Sequence, residues 1–355
     1  MRRLFDPQLV NDVFGDPGLF VDLHDEPRAF LFDLGDLARL PPRKLLRIAQ
    51  VFVSHTHVDH FVGFDGLLRV LLGRKDRLAL TGGPGFVAQV EHKLRAYTWN
   101  VVHRYEVELV LEVTEVNPDG RGRRARFSSR HGFAREAEET FDWANGVLLD
   151  EVLCRVRAAF VDHEMPCLAF AIEEKARPRV ARDRLAALGV STGAWLRELK
   201  LAVLSGAPAD TPITLRWRDR QGEHMMTRCV GELRPIVLDV TAGERIGYVT
   251  DLRFTPGNRR VLAGLLGGVD RLYIESVFLE ADRAHAQRKN HLTARQAGLI
   301  ARELGARAVN PFHFSPRYEE RADELRGEVL GAWRGGADGS EEQPLPLTQP
   351  NDADA

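Results

Sequence analysis

Along this chain, short apolar runs rich in β-branched and aromatic residues alternate with longer stretches whose apolar positions recur at helical spacing. Gln50-Val51-Phe52-Val53-Ser54 reads as a buried strand. Gly18–Leu23 and Arg28–Phe32 read as two more, joined by the turn-like His24-Asp25-Glu26-Pro27. Pro41-Pro42 opens a short helix, Arg43–Ile48. After the Gln50–Ser54 strand come a helix over Phe64–Leu72, a strand over Leu78–Thr81 and a helix over Pro84–Leu94. Residues 104–117 alternate and are rich in Val and Glu, as in a half-exposed strand, and Asn117-Pro118-Asp119-Gly120 turns the chain into another. Further strands are predicted at Val152–Asp162, 245–250, Leu272–Glu275 and Ala308–Pro311, with helices at 258–267 and Thr293–Leu304. Strands and helices alternate in two successive halves with no repeat of fixed period, which points to an α/β fold.

Residues 172–240 break this rhythm. Glu173–Arg182 is charged, and Leu185–Leu188 is helical up to Gly189. Ser191-Thr192 is placed to cap a second helix ending near Val203, and a strand over Ile236–Val240 restores the core pattern. The segment reads as an arm inserted in one domain covering residues 1–334. Residues 335–355, rich in Gly, Pro, Glu and Asp, have no periodicity and read as a disordered acidic tail.

A length of 355 residues allows two domains, or one large α/β domain with insertions. Hydrophobic content of 44% and charged content of 28% describe a soluble globular protein. The opening MRRLFDPQLV has no apolar segment of the kind a secretory signal needs, and no run approaches the ~18 apolar residues of a membrane helix. Cys154, Cys167 and Cys229 are odd in number and widely spaced, which argues against a disulfide framework or zinc knuckle and for a reducing cytoplasm. Net charge is −2, but five acids and no bases follow Arg334, so residues 1–334 carry +3. That is too mild to mark a general nucleic-acid-binding surface.

The chemistry concentrates in His55-Thr56-His57-Val58-Asp59-His60, directly after the Gln50–Ser54 strand. Four of these six side chains are metal ligands by type, carried on a loop that a rigid strand holds. His55 and His57, two apart in extended chain, can point one way, and Asp59 and His60 can face a second ion. Three more candidates end predicted strands: His163, Asp251 and His313. His and carboxylate together suit zinc, with manganese or iron also compatible, and a bridging carboxylate suits a two-metal site. Two further features stand apart. Arg121–Arg135, with Phe127 and Phe133, is either an RNA-contacting patch or an ordinary solvated strand face, the latter being favoured. His24, His92, His103, His131, His224 and His285 have no partners at ligand spacing.

His55-Thr56-His57-Val58-Asp59-His60 resembles the HxHxDH signature of the metallo-β-lactamase superfamily, and the order of that motif, His163, Asp251 and His313 is similar as well. Asp33 in FDLGD resembles that superfamily's first aspartate, a support for the metal loop. Within the superfamily the C-terminal third looks most like ribonuclease Z. The resemblance lies in Gly247-Tyr248-Val249-Thr250-Asp251, Leu272-Tyr273-Ile274-Glu275-Ser276, His291-Leu292-Thr293-Ala294 and Pro311-Phe312-His313-Phe314-Ser315-Pro316-Arg317-Tyr318. The resemblance spans roughly residues 28–320 and implies a four-layer αββα sandwich with an inserted arm and two zinc ions at one edge. His55, His57, His163 and Asp251 would hold one ion, and Asp59, His60, Asp251 and His313 the other. Asp251 would bridge. A hydroxide shared by the ions would attack phosphorus, with Asp59 orienting it and His291, itself oriented by Glu275, serving the phosphate or the leaving oxygen. Arg317 and Ser315 would meet substrate. The implied activity is that of a phosphodiesterase or endoribonuclease acting on the 3′ trailer of precursor tRNA, as a homodimer in which one subunit's arm serves the other. Rival readings are an enzyme for a small phosphodiester or cyclic nucleotide, and a catalytically weak RNA- or protein-binding member. The chain differs from the family in its opening segment, where Asn11–Gly18 replaces a glycine-rich strand, and in its arm tip, Ser191-Thr192-Gly193-Ala194-Trp195.

Overall fold

A computed structural model describes residues 3–143, 145–219 and 222–335. The expected acidic tail lies outside the described residues from 336 onward. One sheet runs in sequence order: β1 (Phe5–Leu9), β2 (Leu19–Leu23), β3 (Ala29–Phe32), β4 (Ile48–Phe52), β5 (Arg77–Gly82), β6 (Val110–Val116), β7 (Arg121–Ser128) and β8 (Arg135–Asp142). Strands β3 to β6 are parallel, and the hairpins at either side are antiparallel. The second sheet begins with β9 (Val147–Asp150), β10 (Cys154–Asp162) and β11 (Pro166–Glu174). The chain then leaves for β12 (Ala176–Val180), β13 (Pro212–Asp219), β14 (Gly222–Cys229) and β15 (Leu238–Ala242). It returns as β16 (Arg245–Val249), β17 (Arg271–Glu275) and β18 (Val309–Phe312). The order across this sheet is β18-β17-β16-β11-β10-β9, with β16 to β18 parallel.

Three apolar layers explain why the strands read as nearly continuous hydrophobic runs. Phe30, Phe32, Phe52, Leu168, Phe170 and Tyr248 lie between the two sheets. The outer face of the first sheet is covered by the helices Phe64–Leu71 and Phe86–Arg95. The outer face of the second is covered by Pro256–Leu266, Ala294–Glu303 and Ala322–Arg334. Strands buried on both faces lose the in–out alternation of a solvated sheet. The result is the expected αββα sandwich.

The arm is a small folded unit on a two-stranded stem. β12 pairs with β15 at its root, and β13 and β14 form a hairpin. Its helices carry Leu185, Trp195, Leu199, Leu233 and Val237 into a core shared with Ile213 and Leu215 of the hairpin. Ser191-Thr192 does not cap the helix Trp195–Leu204. Its N-cap is Ala194, with no side-chain bond, and the Ser191 carbonyl instead accepts the Trp195 indole N–H. The expected strand at Ile236–Val240 straddles two elements, the end of helix Val230–Val237 and the start of β15.

Topology fixes where the arm stands. β11 starts beside the His163 turn and ends at the stem, and β16 leaves the stem and ends two residues before Asp251. The arm root and the His/Asp cluster therefore occupy opposite ends of the sandwich. Nine residues of β11 at ~3.3 Å each put roughly 30 Å between them. Phe170→Ala should cost about 3–5 kcal/mol in global unfolding, because its ring packs on Phe32, Phe52 and Tyr248. Leu199→Ala should instead speed hydrogen exchange within the arm and spare the sandwich, and equal loss of protection in both would contradict a separate arm core.

Candidate metal centre

Three parallel strands of two sheets end at this edge. After β4 the chain continues as Val53-Ser54-His55, and Val58–Phe61 forms a single helical turn that turns Asp59 and His60 inward. His163 occupies the turn between β10 and β11, while Asp251 and His313 follow β16 and β18. Crevices at the carboxyl ends of parallel strands are where open α/β sheets place their sites.

The predicted ligands come together in two groups. One is His55, His57, His163 and Asp251, the other Asp59, His60 and His313, with ligand atoms within 4.8 Å of one another in each. Asp251 links them. Its Oδ2 lies 3.6 Å from His55 Nε2, 3.5 Å from His60 Nε2 and 3.5 Å from His163 Nε2, and its Oδ1 lies 3.0 Å from His313 Nδ1. Asp59 Oδ2 is 3.4 Å from His60 Nε2 and 3.3 Å from His313 Nε2. Ligands at ~2.05 Å from a tetrahedral ion lie about 3.3 Å apart, so these separations are those of atoms surrounding a shared point. His55 Nε2, His60 Nε2 and His313 Nδ1 are buried without a hydrogen-bond partner. Orphaned buried nitrogens are costly, and a metal ion is the natural acceptor of their lone pairs. The residues present fit a metal.

Each inner imidazole is held from behind. His60 Nδ1 donates to Asp33 Oδ2 at 2.9 Å, which turns Nε2 toward the centre. Asp33 also accepts from the Ser54 N–H at 2.7 Å, the Ser54 hydroxyl at 3.0 Å and the Tyr248 hydroxyl at 2.9 Å. His163 Nδ1 donates to the Asn290 carbonyl at 2.9 Å. Such partners fix the tautomer and ring orientation of a ligand. Asp33 and His313 both adopt positive φ, at 60° and 58°, a backbone cost that side chains with a functional role commonly impose. Ser54, Tyr248 and Asn290 escaped the sequence reading. The one available signal was Ser54, a polar residue ending an otherwise apolar strand.

The electrostatics are those of buried carboxylates seeking positive charge. Burial pushes His55 down to about 2, helped by His60. Burial would also lower His60 and His313, but the facing carboxylates together outweigh it, Asp251 with Asp33 raising His60 well above its usual range and Asp251 with Asp59 raising His313 to about 10. Asp251 and Asp59 both stay below the carboxylate range despite burial, because of the facing imidazoles. Protons on His60 and His313 therefore stand where metal charge would stand.

His291 Nδ1 donates to Glu275 Oε2 at 2.9 Å, and Glu275 Oε1 accepts the Leu252 N–H at 2.8 Å. Thr293 caps the next helix in a reciprocal capping box with Gln296, which fixes the chain just after His291. His55, His60, His163, Asp251 and Glu275 are buried, Asp59, His291 and His313 are half-buried, and His57 is exposed. The half-buried residues and His57 thus form the open face. Ser315 and Arg317 stay outside the cluster. The Ser315 hydroxyl caps the following turn, and Arg317 lies exposed, 3.8 Å from Asp282. The arginine-rich β7 is neutralised by its neighbours, Arg123 by Glu115 at 2.8 Å and Arg124 by Glu139 at 2.6 Å, while Phe127 and Phe133 are buried and cannot stack on bases.

No family model matches the chain. It is 31% identical over 293 residues to a ribonuclease Z of Deinococcus radiodurans, covering 82% of this chain and 83% of that one. The chain belongs to the ribonuclease Z family. A further ribonuclease Z, from Salinibacter ruber, is 31% identical over 84% of this chain and 80% of its own. Two solved structures share the fold: the short form of human tRNase Z (TM-score 0.51, 16% identity, 89% of this chain and 92% of that one), and the metallo-β-lactamase fold protein YhfI of Bacillus subtilis (TM-score 0.51, 15% identity, 93% and 94%).

Because metal must displace protons from His60 and His313, metal affinity of this ribonuclease Z family member should rise with pH across neutrality. Competition titrations with a chelator at several pH values measure this, and an affinity independent of pH would contradict proton displacement.

Proposed function

We propose that this protein is a dinuclear zinc endoribonuclease that cleaves the 3′ trailer of precursor tRNA. A metal-dependent phosphodiester hydrolase follows from its family and its His/Asp cluster. The observation that carries the finer reading is the place of Asp251, whose carboxylate lies 3.5–3.6 Å from His55, His60 and His163 and 3.0 Å from His313, with the His291–Glu275 pair beside it. His55, His57, His163 and Asp251 would hold one ion, and Asp59, His60, Asp251 and His313 the other. Bound there, the ions would supply Lewis-acid charge that acidifies a water and neutralises charge developing on the phosphate.

The side chains supply the rest. Asp59 lies half-buried on the open face and is held ionised by His313 and His60, so it can orient the attacking water and accept its proton. Glu275 holds Nδ1 of His291, which leaves Nε2 free to face substrate. Burial lowers the affinity of His291 for its proton, but Glu275 outweighs this and raises it, so the ring can carry positive charge toward a phosphate oxygen or protonate the leaving oxygen. Arg317 is exposed 3.8 Å from Asp282, and would meet a substrate phosphate by exchanging that carboxylate for it.

The position of the arm supports a homodimer. An arm rooted roughly 30 Å from its own metal edge is better placed to serve a second copy. Three unpaired cysteines fit the cytoplasm, and among the described residues no helix is long and apolar enough to cross a membrane.

Purified protein assayed on precursor tRNA, generic RNA and bis(p-nitrophenyl) phosphate tests the substrate. Cleavage at the 3′ trailer is expected, and turnover of the small ester alone would assign the site to a small phosphodiester instead. Asp59→Ala should abolish turnover with the fold intact. His291→Ala should lower kcat by about 10²–10⁴-fold while sparing metal content. Since the raised His291 is charged below its folded value and loses its proton as pH rises through it, the wild type should lose activity on the alkaline side and the variant should lack that limb.

A further inference from the structure

The two halves of the metal edge come from different sheets. The HTHVDH loop hangs from β4 of the first, and His163, Asp251 and His313 hang from the second. A dinuclear centre needs these halves held in register to a few tenths of an ångström, yet apolar packing between sheets is not directional. Hydrogen bonds cross the interface directly behind the site. The Leu168 N–H of β11 donates to the Ser54 carbonyl at 2.9 Å, backbone to backbone. The Tyr248 hydroxyl, supplied by a side chain, donates to Asp33 Oδ2 at 2.9 Å, across 215 residues of sequence.

Both groups are fully buried. On the first sheet, Asp33 anchors His60 Nδ1 with the same oxygen that accepts the tyrosine, and grips Ser54, one residue before His55. On the second, Tyr248 lies on β16 three residues before Asp251, and its ring stacks on Phe312 at 5.3 Å, the residue preceding His313. Its ring also leans on Phe32, next to Asp33, at 6.0 Å. Tyr248 therefore touches the supports of four ligands without approaching a metal position itself.

We infer that Tyr248 is a positioning residue whose hydroxyl, through Asp33, sets the spacing between the His55/His60 half-site and the Asp251/His313 half-site. This rests on the metal-centre reading above. The bland alternative is an ordinary buried tyrosine that contributes packing alone. Tyr273 supplies the control, because it is another buried tyrosine in the same inter-sheet layer, on the neighbouring strand β17.

Tyr248→Phe keeps the ring and removes one hydroxyl. Metal affinity, measured by zinc titration against a chromophoric chelator, should fall about tenfold, the scale on which second partners of ligands act. Tyr273→Phe should leave affinity unchanged even where it lowers Tm. Asp33→Asn should weaken affinity as well, and combining it with Tyr248→Phe should add little, because both act through one bond. Wild-type affinity in Tyr248→Phe, or equal losses in Tyr248→Phe and Tyr273→Phe, overturns the inference. If Asp33→Asn does not fold, the two tyrosine variants decide alone. A wild type that binds no metal would fault the metal-centre reading rather than the role of Tyr248.

Discussion

Asp251 is a carboxylate with 2% of its surface exposed, enclosed by the rings of His55, His60, His163 and His313. Burying such a charge costs several kcal/mol unless positive charge faces it. The sandwich brings that compensation from both sheets at once, so the inter-sheet packing and the centre are parts of one problem. Without the histidines the edge would hold unpaired acid. Without Asp251, Asp33 and Asp59 it would hold a knot of mutually repelling imidazoles.

Around that point the protein separates rigidity from access. The inner ligands sit at strand ends, backed by Asp33, Ser54 and the Asn290 carbonyl, and reach no solvent. His57, Asp59, His291 and His313 open toward solvent from loops and short turns. The chemistry thus has a fixed floor and an accessible face. The arm is built differently, with a small core of its own on a two-stranded stem at the far end. Charge along β7 is largely spent in local ion pairs.

The parts of this arrangement that were legible in the sequence are those with a local signature. β16 and β17 announce themselves because burial on both faces demands apolar runs, and β4 and β18 are marked by the ligand residues that follow them. The HTHVDH loop carries four ligand types in six residues. Other elements had no such mark. β11 was missed because its apolar run, Cys167–Ile172, passes straight into the charged Glu173-Glu174 of the arm root. β8 reads REAEETFD and is exposed along most of its length, held by pairing with β7 rather than by burial. The arm core is assembled from helices and a hairpin far apart in sequence, which no window reveals. Tyr248 looked like one more apolar residue of a core strand, since its hydroxyl finds a partner only when two sheets close. Ser315 and Arg317 were placed by resemblance, and their observed contacts are a helical cap and a surface ion pair.

The central claim is that Asp251 joins two metal positions into one centre. Anomalous diffraction at the zinc edge from crystals of the zinc-loaded protein tests it directly. The account predicts two peaks about 3.5–4 Å apart with an Asp251 oxygen between them. A single peak, or two peaks with Asp251 turned away from both, would contradict it.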